Sequence, residues 1–315
     1  MHCTLGPLKE GAKGGFAAEQ CAKLQFERNK RFNMFSDILL TVDFDRTLTA
    51  PDSSIPERNL EAIRYFMENG GAFTVNTGRS VPMYRRLLNE VPVNAPLLLY
   101  NGSAACDART GELSLLHPIG MDTWQTVREL LALFPDLTVE VQGVDAHYNF
   151  IPNEKWDAFC AYNQCTCATA WMGQELGPFL KFSLYGEFHD STVASLFEAT
   201  PAEKQRMDEA QALLNERYGD YVEVFRAATR IIDVHAKGVS KARSARELQQ
   251  RLGRKILVCV GDANNDIPML EEADFAYCPA DGAVADRFEN VCCCVEGAVA
   301  DVIYRKIPEI LKNRA

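Results

Sequence analysis

Two aspartates separated by one residue form the first pattern in this chain that could do chemistry. Asp43 and Asp45 follow the apolar run 38–42, and Thr47 comes two residues later. Residues two apart in an extended chain lie on the same side, so the two carboxylates are neighbours. Close like charges are costly unless a proton or a cation compensates them. Mg²⁺, which prefers oxygen ligands and retains waters, would do so, and the pattern therefore predicts a metal site.

A second acidic motif follows another apolar run, residues 255–260. Gly261 permits a tight turn there, and Asp262, Asn265 and Asp266 come next. Asp262 and Asp266 add two carboxylates to the first pair. Four acids at one edge of a sheet predict a divalent-cation site.

Two further segments could hold a phosphate group. Thr77 and Gly78 follow the apolar run 72–75, and a hydroxyl, a glycine and a helix start together form a phosphate-binding loop. An ordinary helix N-cap explains the same residues equally well. In the segment 237–241, lysines stand at a predicted helix start, where the helix dipole disfavours positive charge. This placement suggests a bound anion, and a solvated surface lysine is the alternative.

The elements that position these residues are short apolar runs followed by loops and helices. Near-continuous apolar strands are what a parallel sheet covered on both faces requires, and helical patterns lie between them. We therefore predict an α/β core. Ligands in such sheets bind beyond the carboxyl ends of the strands. Four predicted strands place polar residues there: Asp43, Thr77, Asn101 and Asp262.

A different pattern separates the third and fourth of these strands. Helical segments alternate with two predicted hairpins, which indicates an α+β unit with an antiparallel sheet. We predict that residues 119–228 form an inserted domain, and that residues 34–118 and 229–315 form the core. Residues 1–33 are rich in Gly, Lys, Glu and Ala and are predicted to be a loose arm.

The composition narrows the possible partners. The net charge is −10, which disfavours nucleic acid because its binders usually carry a basic face. No apolar run reaches the roughly 18 residues that span a membrane. Eleven cysteines without a CxxC pair argue against a zinc ribbon and favour a reducing compartment, so we expect a cytoplasmic protein that binds neither membrane nor nucleic acid.

The motifs, in this order and spacing, resemble those of the haloacid dehalogenase-like phosphatases. The closer resemblance is to their Cof-type branch, subfamily IIB, and it spans about residues 36–312. It implies a Rossmann-like core with an inserted α+β cap of the C2B type. The segments that match family motifs are Asp43-x-Asp45-x-Thr47, Thr77, Asn101-Gly102, Gly238–Lys241 and Gly261–Leu270. The branch usually has glycine where Arg46 and Ala263 stand.

The resemblance also implies roles. Asp43 would attack phosphorus to form an aspartyl-phosphate, and Asp45 would act as general acid and then general base. Mg²⁺ would be held by Asp43, the Asp45 carbonyl and Asp262, with Asp266 in support. Thr77, Gly78, Lys241 and Asn265 would bind the phosphoryl group, with Asn101 in support. The substrate would be a small phosphoester such as a sugar phosphate. The inserted domain would be a lid with four candidate contacts: His147, Tyr148, Asn149 and Lys181.

Two other functions fit the same residues. A phosphomutase similar to the phosphomannomutases would return the phosphoryl group to a sugar instead of releasing it. A non-catalytic phospholigand-binding protein is also compatible, although it would need no acid–base residue at Asp45. We expect either a monomer or a homodimer.

Overall fold

The computed structural model describes residues 33–84, 90–114, 116–171 and 173–314. The predicted arm, residues 1–33, lies outside these ranges except for its last residue. Within them, the strands are β1 (Ile38–Val42), β2 (Ala72–Val75), β3 (Leu97–Leu99), β4 (Ala104–Cys106), β5 (Leu113–Ser114), β6 (Thr138–Gly143), β7 (His147–Asn149), β8 (Cys167–Thr169), β9 (Phe179–Tyr185), β10 (Val222–Ala228), β11 (Ile231–Ala236), β12 (Ile256–Val260), β13 (Phe275–Pro279) and β14 (Glu289–Val291).

The α-helices lie between these strands and after the last of them. They are α1 (Glu57–Glu68), α2 (Val81–Tyr84), α3 (Thr123–Leu133), α4 (Glu154–Tyr162), α5 (Pro201–Tyr218), α6 (Lys241–Arg251), α7 (Ile267–Glu272), α8 (Ala298–Asp301) and α9 (Ile307–Arg314). No helix in the described ranges combines the length and the apolar character needed to cross a membrane.

The core is a five-stranded parallel sheet in the order β14-β13-β12-β1-β2. All five residues of β1 are buried, and successive side chains point to opposite faces. Leu40 packs in one apolar cluster with Ile63 of α1, whereas Leu39 packs in another with Leu248 of α6. Helices therefore cover both faces, as the apolar runs predicted, and the α/β fold is confirmed.

The third predicted strand joins this sheet differently from the other three. β3 pairs antiparallel with β4 in a separate three-stranded sheet, β3-β4-β5. A single bridge, between Asn76 and Leu98, links it to the end of β2. Backbone hydrogen bonds from Tyr100 to Arg79 and from Asn101 to Thr77 still bring its end to the core edge.

The region between β5 and α6 contains a third sheet, with six strands in the order β10-β11-β9-β6-β7-β8. We call residues 119–236 the inserted segment. Helices α3 and α5 pack on one face of its sheet, where Val127 and Leu214 contact the apolar residues of β6 and β9. Strand β8, which the sequence patterns did not predict, pairs with β7 at one end of the sheet.

The prediction assigned residues from 229 onwards to the core, and β11 does not follow it. β11 pairs antiparallel with both β10 and β9, so it belongs to the sheet of the inserted segment and not to the core sheet. The sheet pairing thus moves the end of the inserted segment from 228 to about 236.

A candidate active site at the ends of the parallel strands

Asp43 stands where β1 ends at the edge of the core sheet. Its amide donates to the carbonyl of Val260 at the end of β12, at 2.9 Å. This bond carries the strand pairing one residue further and fixes the two neighbouring strand ends side by side. Asp262 follows β12, and its Oδ1 accepts a hydrogen bond from Thr47 Oγ1 at 2.9 Å. The predicted Asp43 and Asp262 motifs therefore meet at one edge.

Lys241, the first residue of α6, neutralises part of this acidic edge. Its Nζ lies 2.5 Å from Asp43 Oδ1 and 2.6 Å from Asp266 Oδ1, and its side chain is 1% exposed. Asp266 is held from the other side, because its Oδ2 accepts from the amides of Asp262 and Ala263. Gly261 is required here, since a Cβ would lie 2.6 Å from Asp266 Cβ.

The electrostatics of the cluster favour uptake of positive charge. Burial raises the pKa of Asp43 well above its ordinary value, although Lys241 opposes this rise and neighbouring carboxylates add to it. Burial and then Asp266 raise the pKa of Asp262 to about 7. Burial would lower the pKa of Lys241, but Asp266 and Asp43 outweigh it and raise that pKa. Lys241 alone thus leaves negative charge uncompensated at this edge.

The donor set fits a hard divalent cation. Carboxylate oxygens of Asp43, Asp262 and Asp266 lie within 4.8 Å of one another, and all three residues are buried. Oxygen ligands are what Mg²⁺ requires. The Asp266 carboxylate is occupied by Lys241 and two amides, so it orients the site, while Asp43 and Asp262 are placed to supply ligand oxygens.

The loop after β2 brings a hydroxyl, a glycine and an arginine to the same edge. Thr77 is buried, and its Oγ1 accepts from the amide of Arg79 at 3.1 Å. Arg79 donates to both oxygens of Asp45, from Nε at 2.9 Å and from Nη2 at 2.7 Å. Its guanidinium also stacks 4.8 Å from the centre of the Phe44 ring. Arg79 therefore fixes the orientation of the Asp45 carboxylate.

One pocket unites most of the predicted site residues. Its wall includes the following predicted residues: Asp43, Asp45, Thr77, Gly78, Lys181, Asp262 and Asn265. Lys241 and Asp266 lie behind the wall, where Lys241 contacts both Asp43 and Asp266. Asn101 also lies behind it, because its Oδ1 would be 3.0 Å from a Cβ on Gly78.

The four candidates in the inserted segment have different locations. Lys181 lines the pocket, and its Nζ donates to the Gly78 carbonyl and to Asp233, each at 3.0 Å. His147 instead joins the segment to the core, because its Nε2 lies 2.7 Å from Ser80 Oγ. Tyr148 packs with the apolar cluster of the inserted segment. Asn149 lines a separate groove beside α4. Of the four, only Lys181 lies at the pocket.

A buried polar network connects Lys181 to the core loops, because Asp233 Oδ2 accepts from Lys181 Nζ at 3.0 Å and lies 3.5 Å from Asn101 Nδ2. Asn101 Nδ2 lies 3.0 Å from His235 Nε2, and Ser103 Oγ lies 3.2 Å from His235 Nδ1. Burial lowers the pKa of His235 to about 3, so its ring is neutral at pH 7. A neutral ring that accepts at Nε2 from Asn101 and donates from Nδ1 to Ser103 satisfies both contacts.

Several pocket residues were not predicted from the sequence. Arg79 stands inside the predicted phosphate loop, so its role could have been considered there. Arg46, Met83 and Ala263 also line the pocket from the core. The others come from the inserted segment: Gln142, Phe159, Tyr185, Val193, Phe197, Ala227, Ala228, Ile231 and Asp233. The signal that was available for some of them is the alternation of polar and apolar residues along β6, β9 and β11.

The fold and the site together define an α/β enzyme whose acidic centre lies at the carboxyl ends of parallel strands. The chain belongs to the haloacid dehalogenase-like hydrolases, whose family model matches residues 40–285. The predicted resemblance is therefore confirmed at the level of the family.

Known proteins agree with this assignment. The HMP-PP phosphatase of Yersinia enterocolitica is 24% identical over 234 residues, which cover 74% of this chain and 80% of that protein. The 5-amino-6-(5-phospho-D-ribitylamino)uracil phosphatase YcsE of Bacillus subtilis is 23% identical over 240 residues, covering 75% and 80%. A haloacid dehalogenase-like hydrolase from Bacteroides thetaiotaomicron has the same fold, with a TM-score of 0.69 at 18% identity over 85% of this chain and 98% of its own.

Proposed function

We propose that the protein is a magnesium-dependent phosphatase that hydrolyses a small phosphomonoester through an aspartyl-phosphate on Asp43. One observation carries the proposal. Asp43 faces a pocket that it shares with Asp45 and the Thr77–Gly78 loop, while Lys241 contacts its Oδ1 from behind. A nucleophile, an acid–base group and a phosphate-binding loop in one pocket are the parts that phosphoryl transfer requires.

In the first half-reaction, a carboxylate oxygen of Asp43 attacks phosphorus. The new Asp43 O–P bond forms as the bond between phosphorus and the leaving oxygen breaks. The protonated carboxyl of Asp45 gives its proton to that leaving oxygen, so the alcohol departs neutral. Thr77 and the loop amides hold the other phosphoryl oxygens.

In the second half-reaction, water attacks phosphorus and frees Asp43 as a carboxylate. Asp45 takes a proton from that water, which returns it to its starting protonated form. Both Asp45 oxygens accept from Arg79 in the structure, so this arrangement corresponds to the ionised form of Asp45. We infer that Asp45 turns away from Arg79 when it carries the proton.

A bound Mg²⁺ would offset the repulsion between the Asp43 carboxylate and the phosphate. Asp43, the Asp45 carbonyl and Asp262 would hold it. The charge of Lys241 opposes the rise in the pKa of Asp43 that burial causes, and Asp266 holds Lys241 in place. Asn265, on the pocket wall beside Asp262, is placed to contact the phosphoryl group.

The relatives support the phosphatase class, since the proteins from Yersinia enterocolitica and Bacillus subtilis are both phosphatases of small phosphorylated compounds. We further propose that the inserted segment is a lid. It contributes the far wall of the pocket and touches the core through Lys181 and His147. A lid of this kind would exclude water and select the leaving group.

The test is phosphate release from p-nitrophenyl phosphate with Mg²⁺, measured for the wild type and Asp43→Asn. We expect the variant to release no phosphate and to acquire no acid-stable radiolabel from labelled substrate. Asp37→Asn, at a half-exposed surface position, is the matched control and should behave as wild type. Near wild-type release by Asp43→Asn would overturn the proposal. Label retained and passed to a sugar, without free phosphate, would favour a phosphomutase.

A further inference from the structure

The wall that the inserted segment gives to the pocket is largely apolar. Phe159, Val193, Phe197 and Ile231 line it, together with Met83 from the core. Phe159 is 4% exposed, whereas Phe197 is 43% exposed, a large apolar side chain left open to solvent. Lys181 and Asp233 also line the wall, but they are bonded to each other. Most of this wall therefore offers no partner to the hydroxyls of a bare sugar, and polar groups moved out of water need partners.

One amide interrupts this wall. Gln142 on β6 lines the pocket and is fully buried, and its Oε1 has no hydrogen-bond partner among the described residues. Burial of an acceptor without a hydrogen-bond partner is unfavourable. A ligand donor that reached this atom from the pocket would therefore be stabilised.

The orientation of the amide is fixed by its neighbours. Gln142 Nε2 donates to Glu140 Oε1 at 2.5 Å and to Ser183 Oγ at 3.3 Å. Glu140 is fully buried and also accepts from Trp156 Nε1 at 2.7 Å. Burial would raise the pKa of Glu140, but the charge of His147 and hydrogen bonds from its neighbours lower it to about 2. An ionised carboxylate only accepts, so the NH₂ group of Gln142 must face it.

The pairing of strands β6 and β9 determines how far Gln142 lies from the Thr77–Gly78 loop. Gln142 is paired across the sheet with Lys181, whose Nζ donates to the Gly78 carbonyl. Directly paired residues have Cβ atoms about 4.5–5.5 Å apart. The acceptor therefore lies one strand away from the group that touches the phosphate loop, which is the region a leaving group would occupy.

We infer that Gln142 is a specificity residue, and that the substrate is a phosphomonoester with a flat, largely apolar leaving group carrying an O–H or N–H donor. The inference rests on the proposed phosphatase function. The apolar wall binds the flat body of the leaving group, and Gln142 Oε1 accepts its donor. A leaving group without the donor leaves Oε1 buried and unpaired.

The experiment compares pairs of esters that differ in the donor alone. Hydroxyphenyl phosphates and methoxyphenyl phosphates, each as the 3- and 4-isomers, have leaving groups of similar acidity. We expect the wild type to prefer at least one hydroxy ester over its methoxy partner by about 10-fold or more in kcat/KM. We also expect that ester to exceed glucose 6-phosphate.

Gln142→Leu and Gln142→Met both remove the acceptor, and each should bring the hydroxy-to-methoxy ratio to within about 3-fold of unity. Asn149→Leu is the matched control, because Asn149 is also a buried amide with unpartnered atoms but lies at the separate groove. It should keep the wild-type ratio. Circular dichroism and thermal unfolding establish that each variant folds. If either Gln142→Leu or Gln142→Met fails to fold, the other still tests the inference.

Two kinds of failure are distinguishable. If the wild type releases no phosphate from p-nitrophenyl phosphate with Mg²⁺, the proposed function itself fails. If it is active but shows no preference within either pair, or if both Gln142 variants keep the wild-type preference, the inference about Gln142 is overturned. Higher kcat/KM for glucose 6-phosphate than for every aryl ester would overturn the proposed leaving-group class.

Discussion

Replacement of Lys241 by methionine should destabilise the protein strongly at neutral pH. The Lys241 side chain is 1% exposed and lies between two carboxylates, 2.5 Å from Asp43 and 2.6 Å from Asp266. Methionine fills a similar volume but carries no charge. Removing one partner of a buried ion pair costs about 3–5 kcal/mol, because the remaining charge is buried without compensation.

The loss should depend on pH in a defined direction. The pKa of Asp43 is already raised in the folded protein by burial, and loss of Lys241 removes the charge that lowers it most. A carboxyl whose folded pKa lies above its unfolded pKa takes up its proton first in the folded state. Stability therefore rises as the pH falls through the folded pKa. The difference between wild type and Lys241→Met should be largest near pH 8 and shrink towards pH 5.

The assay is equilibrium urea unfolding in EDTA at pH 5, 6.5 and 8. Lys255→Met is the matched control, because Lys255 pairs with Asp37 on the surface and its side chain is 74% exposed. Exposed pairs contribute little, so this control should change the midpoint only slightly at every pH. The reasoning is refuted if Lys241→Met lowers the free energy of unfolding no more than Lys255→Met does. It is also refuted if the loss in Lys241→Met is the same at all three pH values.

Three further outcomes are expected. Asp45→Asn should lower turnover by about 10²–10⁴-fold. The loss should be smallest for p-nitrophenyl phosphate, because its good leaving group needs little protonation. Equal losses for substrates with poor and good leaving groups would contradict the role of Asp45 as general acid. EDTA should abolish phosphate release and excess Mg²⁺ should restore it, whereas full activity after thorough chelation would exclude the metal site. His147→Gln should lose stability most below pH 6.5 and progressively less up to about pH 9 in urea unfolding, because Glu140 outweighs burial and raises the pKa of His147 to about 9; a cost that grows with pH would refute this.

The acidic centre could be predicted because short stretches of sequence are enough to identify its residues. Each motif directly follows a buried apolar strand, and parallel strands bring their carboxyl ends to one edge whatever lies between them. Asp43 and Asp262, 219 positions apart in sequence, meet for this reason alone. The loop keeps its shape although Arg46 replaces the glycine that is usual at this position. Arg46 adopts φ 60°, a conformation that favours glycine, and the contact between Thr47 and Asp262 still forms.

The wall from the inserted segment could be predicted only in part. In Lys181-Phe-Ser183-Leu-Tyr185, the polar residues alternate with apolar ones, and Glu140 and Gln142 follow the same period. This alternation distinguishes a polar face from the face that packs on α3 and α5. It does not say which part of the polar face overlies the pocket. His147 and Gln142 are paired in register, yet one contacts Ser80 and the other lines the pocket.

Which part of the polar face overlies the pocket depends on how the inserted sheet is positioned on the core. Long-range hydrogen bonds contribute to that position. Lys181 binds the Gly78 carbonyl, Tyr100 Oη donates to the Gly143 carbonyl at 2.8 Å, and His147 meets Ser80. Water can replace each of these bonds at modest cost, since the net contribution of one hydrogen bond is about 0.5–1.5 kcal/mol. The core cluster around Asp43 has no such freedom, because separating its buried charges is far more costly. The fold thus combines a core cluster held by buried charges with an inserted segment that individual hydrogen bonds join to the core, and Lys181 makes one of those bonds.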